Sequence, residues 1–367
     1  MATTPTPRTV HSPPVSAAAE PIRVGIVGAT GYVGGELIRI LHAHPGVQIV
    51  GLTGRERSGD PVGTVHPHLA RTSHALHETL TNDVDAVFLA LPHGVAAERV
   101  PAYLEAGVSV IDLGPDFRLR NPADYPRWYG FEHPHPELLA QAVYGLPELH
   151  RPELIAASVN RVAGSPALVG APGCYPTATL LGLAPLARAG LVDDVIVDAK
   201  SGVSGAGREA NKDMLFAEVN ESVRAYGIFS HRHTAEMEQE LGTLQNAGVR
   251  PIDFLPHLIP MTRGILSACH VRPTRPVTQA ELDALYAEAY EDEPFVAVVG
   301  RPPATGHVLG SNHAQVFVRA DERTGRILAL GVIDNLVKGA AGQAIQAFNL
   351  VFGLDEAAGL DALPLAP

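Results

Sequence analysis

The 367-residue chain has only two cysteines, Cys174 and Cys269. That excludes a disulfide framework and a cysteine-based zinc cluster, and it fits a reducing compartment. A basic tract is also missing: 27 Lys and Arg stand against 39 Asp and Glu, for a net charge of −12. This argues against nucleic acid as the main partner. No apolar run reaches the roughly 18 residues that would span a bilayer. The first stretch, residues 1–20, is rich in Thr, Pro, Ser and Ala and reads as a disordered leader. It lacks the basic start and apolar core of a signal peptide, and its lone Arg8 falls short of a transit peptide. A cytoplasmic location is therefore expected. The composition of the whole chain is globular, 46% hydrophobic and 18% charged, and the chain is long enough for one or two domains.

The β-branched run Ile22-Arg23-Val24-Gly25-Ile26-Val27 reads as a buried strand. Gly28-Ala29-Thr30-Gly31-Tyr32-Val33-Gly34 follows it, then a helical run over 35–42 and a second strand over 48–53. This is a βαβ unit with glycines at its first turn. One glycine makes the tight turn, one admits a pyrophosphate, and one lets helix and strand pack closely. The helix N-terminus then receives the phosphate charge. The spacing G-x-x-G-x-x-G differs from the commonest dinucleotide fingerprint, but its place between strand and helix supports dinucleotide binding. Where an NAD enzyme usually has an acid for the ribose hydroxyl, this chain has Thr53-Gly54-Arg55-Glu56-Arg57-Ser58. Arginines and hydroxyls there suit a 2′-phosphate, so NADP is expected, with Glu56 as counter-evidence.

Further strands are expected over 86–91 and 108–112, with a helix over 95–106. Pro92 lies at the strand end beside the cofactor crevice. Arg118 either clamps an anionic substrate or forms a surface ion pair. Residues 121–153 read as long loops over the first domain.

Ala171-Pro172-Gly173-Cys174-Tyr175-Pro176 turns sharply from an apolar strand into a helix expected over 177–186. Cys174 thus sits near a helix N-terminus, whose free N–H groups and dipole favour a thiolate. It is either a nucleophile or a buried structural thiol. A strand over 195–199 leads to a second glycine-rich loop, Ser201 to Arg208, with a helix expected over 209–218. Ser204 and Gly205 in that loop suit close approach to an anion or a nicotinamide. His231-Arg232-His233 precedes a helix with Thr234 as a candidate N-cap. The histidines are a metal pair, surface residues, or a base for Cys174; no third ligand stands at a recognisable spacing. Strands over 252–272, 295–299, 307–319 and 326–333, with one helix over 277–289, suggest a mostly antiparallel sheet whose apolar outer face suits a dimer. A last apolar helix, 334–350, reads as buried between domains or back on the first.

With these pieces in place, the chain resembles the N-acetyl-γ-glutamyl-phosphate reductase family, within the wider semialdehyde dehydrogenase group. The likeness runs over about residues 22–353. Besides the glycine turn and the Cys174 turn, it is carried by Leu91-Pro92-His93-Gly94, Asp116-Phe117-Arg118-Leu119, Tyr144-Gly145-Leu146-Pro147-Glu148, Ser201 to Arg208, His231-Arg232-His233-Thr234 and Asp334-Asn335-Leu336-Val337-Lys338-Gly339. The resemblance implies an α/β plus α+β fold. A Rossmann domain would span 21–172 plus 334–353, and a catalytic and oligomerisation domain 173–333. It implies NADPH as hydride donor and Cys174 as the acylated thiolate. His231 would be the general acid/base, with His233, Arg118 and Arg208 near the substrate. The cofactor would meet Gly28, Thr30, Gly31, Tyr32, Val33, Gly34, Thr53, Arg55, Ser58, Pro92, Ser204, Gly205 and Asn335. The implied reaction makes N-acetylglutamate semialdehyde and phosphate from the acyl phosphate, in arginine biosynthesis, by a homodimer or homotetramer. Alternatives are a sister reductase of an aminoadipyl or aspartyl phosphate, a catalytically dead NADP sensor, and a cysteine hydrolase.

Overall fold

The structure is a computed structural model that describes residues 20–80, 83–246 and 251–365. The expected leader and the side chain of Arg55 lie outside the described residues. Two sheets organise the chain. The first holds β1 (Ile22–Val27), β2 (Val47–Thr53), β3 (Ala86–Leu89), β4 (Ser109–Asp112), β5 (Val143–Tyr144) and β6 (Leu168–Gly170) in the order β2-β1-β3-β4-β6-β5. All its pairings are parallel. Both faces are covered, so its strands read as continuous apolar runs rather than alternations. All four residues of β3 and all four of β4 are buried. Helix Tyr32–Leu41 and the final helix Gly342–Val351 cover one face. Val100, Tyr125 and Tyr129 belong to the core on the other.

The second sheet holds β7 (Val192–Ser201), β8 (Arg224–Ala225), β9 (Asp253–Leu258), β10 (Ile265–Pro273), β11 (Val296–Val298), β12 (Ala314–Asp321) and β13 (Arg326–Ile333). Its order is β11-β12-β13-β10-β7-β9-β8. The pairings are antiparallel except β11 with β12 and β7 with β9. Along β10, Ile265, Ser267, Cys269 and Val271 point into the core while the residues between them are partly exposed, the alternation of a one-sided sheet. Helix Cys174–Arg188 lies on the covered face, against β10 and β13.

That helix carries Pro185 in its interior. A proline there removes one helical hydrogen bond and clashes with the preceding turn. Two tyrosines compensate. Tyr290 donates to the freed carbonyl of Leu181, and Tyr286 adds a bond to the neighbouring carbonyl of Gly182. The helix therefore runs on to Arg188, beyond the expected end at residue 186. On β13, a side chain at Gly331 would overlap the carbonyl oxygen of Ala178 in this helix. Gly331→Ala is expected to destabilise the fold by about 1–3 kcal/mol, the usual cost of overpacking. Urea unfolding checks this, and an unchanged midpoint contradicts it.

Several sequence expectations are corrected. Residues 121–153 are not all loop: they contain Asp124–Tyr129, Pro136–Leu139 and the start of helix Pro147–Val162. That long helix buries only Pro147, Glu148, His150 and Leu154 and exposes Ile155, Val159 and Val162, so no clean apolar stripe announces it. The helix expected over 209–218 is only a 3-10 turn, Lys212–Met214, and one turn, Phe216–Val219. No residue in either is buried, so nothing repays helix nucleation. The single strand expected over 252–272 is two, β9 and β10, and the one expected from 307 starts at Ala314. The final helix begins as a π turn, Val337–Ala341, and packs on the first domain's helices.

Candidate active site

A cavity of about 310 Å³ lies between the two sheets. Its lining includes Gly31, Tyr32, Val33 and Gly34 from the glycine turn, Cys174, Arg118, His233, Ser204, Gly205, Arg208 and Asn335. The chain thus brings the dinucleotide turn and the cysteine turn to one space.

At the glycine turn, Gly28 has φ +87°, and a side chain there would overlap the carbonyl oxygen of Ala90 on the neighbouring strand. Both reasons require glycine. Helix Tyr32–Leu41 starts at Gly31 without a side-chain cap, and Gly31 has open space beside it, its nearest neighbour for an added Cβ being the Gly28 carbonyl at 3.8 Å. Uncapped N–H groups therefore face the cavity, as a diphosphate requires. Thr53 is buried; its Oγ1 accepts from the Gly28 N–H at 3.4 Å. Ser58 is exposed beside the Arg57–Asp60 ion pair. Ala90 and Leu91 line the cavity, while Pro92, the next residue, is exposed outside the lining.

Arg208 reaches across to this turn. It donates to the carbonyls of Thr30 (3.0 Å) and Val65 (2.7 Å), so it stands at the cofactor end rather than beside the thiol. Ser204 accepts from the Asn335 amide at 2.9 Å, and Asn335 Oδ1 in turn accepts from the Gly264 N–H at 2.7 Å.

Cys174 is the first residue of its helix, but it is not the preformed thiolate that the helix start suggests. Burial pushes the thiol up to about 11. Arg118 and the Tyr175 N–H pull the other way, and Glu236 adds to the rise. Desolvation outweighs the helix dipole here. Alkylation of Cys174 in the free enzyme is therefore expected to keep accelerating from pH 8 to pH 10. An ordinary thiol would level off near its usual value of about 8.5. A plateau by pH 8.5 contradicts this.

Of the two histidines, His233 lines the cavity and His231 is not among the lining residues. A methyl on Gly173 would lie 2.5 Å from His233 Nε2, so that nitrogen sits directly over the residue before Cys174. Its Nδ1 is buried without a hydrogen-bond partner. Burial, then the neighbouring His231, holds His233 well below the usual imidazole range. His231 stacks edge-on behind it, with ring centroids 4.8 Å apart, and also packs on Tyr175 and Phe254. Burial pushes His231 down to about 4. The triplet is not extended: Arg232 has φ −54° and ψ −34°, and the helix starts at His233. Thr234 is therefore inside the helix and caps nothing; its Oγ1 is buried without a partner. Among the described residues, no cluster of three or more His, Cys, Asp or Glu is arranged to hold a metal ion.

Arg118 is neither a surface ion pair nor free for a ligand on every side. It donates to the carbonyls of Ala171 (2.6 Å) and Leu113 (2.8 Å), and its remaining arm faces Glu236 at 3.5 Å. Glu236 was missed by the sequence reading. Fully buried, it accepts from the Gly173 N–H and the Tyr144 hydroxyl, both at 2.7 Å. Together the pair clamps both ends of the Ala171–Gly173 turn that presents Cys174. An acid in a first helical turn ordinarily reads as a surface group favoured by the dipole, so nothing in the sequence marks its burial.

Comparison with known proteins gives the family. Residues 23–157 match the family model for the semialdehyde dehydrogenase NAD binding domain, and residues 174–335 match that for the semialdehyde dehydrogenase dimerisation domain. The chain is similar to the N-acetyl-gamma-glutamyl-phosphate reductase of Citrifermentans bemidjiense, at 49% identity over 94% of this chain and 100% of that one. It is also similar to that of Moorella thermoacetica, at 47% identity over 94% and 100%. Among solved structures it resembles aspartate semialdehyde dehydrogenase II of Vibrio cholerae, with TM-score 0.69 and 20% identity over 91% of this chain and 98% of that one. The Candida albicans enzyme, solved with NADP, gives TM-score 0.67 and 16% identity over 93% and 99%. At those identities the structures speak for the fold, a Rossmann-type domain joined to a mixed-sheet domain. The curated relatives go further: the chain belongs to the N-acetyl-γ-glutamyl-phosphate reductase family of semialdehyde dehydrogenases.

Proposed function

We propose that the chain reduces N-acetyl-γ-glutamyl phosphate with NADPH to the semialdehyde and phosphate, through a thioester on Cys174. The observation that carries this reading is the shared cavity of Cys174, His233 and the glycine turn. At neutral pH both the thiol and the imidazole are uncharged, so no ion pair waits in the free enzyme. His233 Nε2 takes the thiol proton as the sulfur attacks the acyl carbonyl; the C–O bond to phosphate breaks, and the phosphate leaves as hydrogen phosphate, taking up one proton from solvent. Activation on demand by a neighbouring base is one of the ordinary routes for a weak nucleophile. When bound, NADPH supplies the hydride that turns the thioester carbonyl into an alkoxide carbon. That carbon then expels the sulfur as aldehyde forms, and His233 returns its proton to the sulfur.

His233, rather than the expected His231, is thus the general acid/base, and His231 supports it. The uncapped helix start at Gly31 to Gly34 fits the cofactor diphosphate, with Arg208 poised over it. Thr53, Ser58 and the Arg55–Arg57 turn at the end of β2 support NADP over NAD. Residues 21–172 plus 334–353 would form the nucleotide unit, and 173–333 the substrate unit. A homodimer or homotetramer would form through the second sheet, whose outer face exposes Ile196. No helix among the described residues is long and apolar enough to cross a membrane, and the substrate is a small molecule. A cytoplasmic setting completes the proposal.

The test is NADPH formation from N-acetylglutamate semialdehyde and phosphate with NADP, with NAD and aspartate semialdehyde as separate arms. Faster turnover of aspartate semialdehyde, or no turnover of the N-acetyl compound, overturns the assignment.

A further inference from the structure

Beyond β13 the backbone leaves ordinary helical geometry. The Gly339 N–H donates to the Asp334 carbonyl at 2.9 Å and the Ala341 N–H to that of Leu336 at 3.0 Å. Each bond spans five residues, which defines the π turn Val337–Ala341. Such turns are rare and concentrate at functional sites. Asp334 starts it by accepting from the Leu336 and Val337 N–H groups. The consequence falls on Gly339: a methyl there would lie 2.8 Å from Cys174 Cβ. The turn is therefore the wall against which the cysteine side chain rests.

The adjoining Lys338 is fully buried. Its Nζ donates to Glu148 Oε1 and to Gln346 Oε1, each at 2.6 Å. Glu148 is also buried, and its backbone carbonyl accepts from Arg188, the last residue of the Cys174 helix, at 2.8 Å. Gln343, five residues further on, donates to the carbonyl of Gly145 at 2.9 Å. Glu148 thus holds the π turn with its side chain and the far end of the cysteine helix with its backbone. Neither charged group lines the cavity. A buried ion pair is a poor source of net stability, so its cost calls for another role, and its best-attested use is to fix a register.

We propose that Lys338 and Glu148 are positioning residues for the reaction: their ion pair locks the π turn, and the turn seats Gly339 against Cys174 so that the sulfur is presented to the cavity. This rests on Cys174 being the nucleophile.

The test uses the full chain with Lys338→Met and Glu148→Leu together, which leaves no unpaired buried charge. The double variant is expected to fold by circular dichroism and to keep NADPH affinity and KM within about threefold of the parent. It is expected to lose at least about tenfold in kcat, since small misplacements of a reacting atom are costly. Its Cys174 alkylation rate should also change at least about threefold, because the thiol's exposure and surroundings change. A folded double variant with parental kcat and alkylation rate overturns the proposal. If it does not fold, two single variants decide. Gly339→Ala and Lys338→Arg are both expected to lower kcat more than they raise KM, and parental kcat in both overturns the proposal. The alkylation readout also separates this idea from the nucleophile assignment. If Cys174→Ser kept its turnover, the nucleophile would lie elsewhere, yet loosening the π turn would still alter how fast Cys174 alkylates.

Discussion

Replacing Cys174 by serine is expected to lower kcat by at least about a thousandfold, the scale seen when a catalytic nucleophile is lost, while NADPH binding stays within about threefold. The hydroxyl is close to the thiol in size, so the turn held by Glu236 and Arg118 keeps its shape. Chemistry rather than packing then fails. A thiol pushed up to about 11 still gives up its proton to a neighbouring imidazole as the sulfur bonds to the carbonyl carbon, whereas an alcohol ionises far less readily. The cofactor contacts proposed at Gly31 to Gly34 do not involve the sulfur. Steady-state rates and a fluorescence titration with NADPH check the two halves separately. A rate within tenfold of the parent would refute covalent catalysis here.

His233→Ala is the second large effect. Loss of a general acid/base costs about 10²–10⁴ in rate, and His231→Ala should cost distinctly less because that ring stacks behind the first. The pH dependence carries the sharper signature. A base must be unprotonated to accept the thiol proton. Burial holds the folded-state pKa of His233 well below 6.5, so its unprotonated form persists as pH falls through the usual imidazole range. The parent should therefore keep its activity below pH 6.5, and its acid limb should appear only at lower pH. In His233→Ala that limb should disappear along with the rate, and added imidazole should restore part of it. A His231→Ala variant that loses as much as His233→Ala would return the role to His231.

Much of this was legible in the residues, and the limits have physical causes. The βαβ unit announced itself because a buried parallel strand reads as an unbroken apolar run and its turn needs glycine at Gly28. The Cys174 turn was visible for similar reasons, as a strand end followed by an apolar helix. The charge state of the cysteine was not, because it depends first on burial and then on charges far off in sequence, Arg118 lowering the thiol pKa and Glu236 raising it. The order of the two histidines was equally hidden. They are two residues apart, and only the helix start at His233 decides which ring faces the cavity. Glu236, Lys338 and Glu148 illustrate the same limit: burial of a charge is invisible until its partner is known, since each reads locally as a surface group. The helix Pro147–Val162 escaped because its buried side is narrow and because Pro152, inside it, reads as a helix breaker.

The most direct measurement traps the covalent species. Enzyme is mixed with N-acetylglutamate semialdehyde and NADP without phosphate, quenched in acid, digested and weighed by mass spectrometry. The account predicts a burst of NADPH close to one per active site, together with an N-acetylglutamyl adduct on the peptide that carries Cys174, which phosphate added before the quench removes. Burst formation with no adduct on that peptide, or with the adduct on another residue, would contradict it.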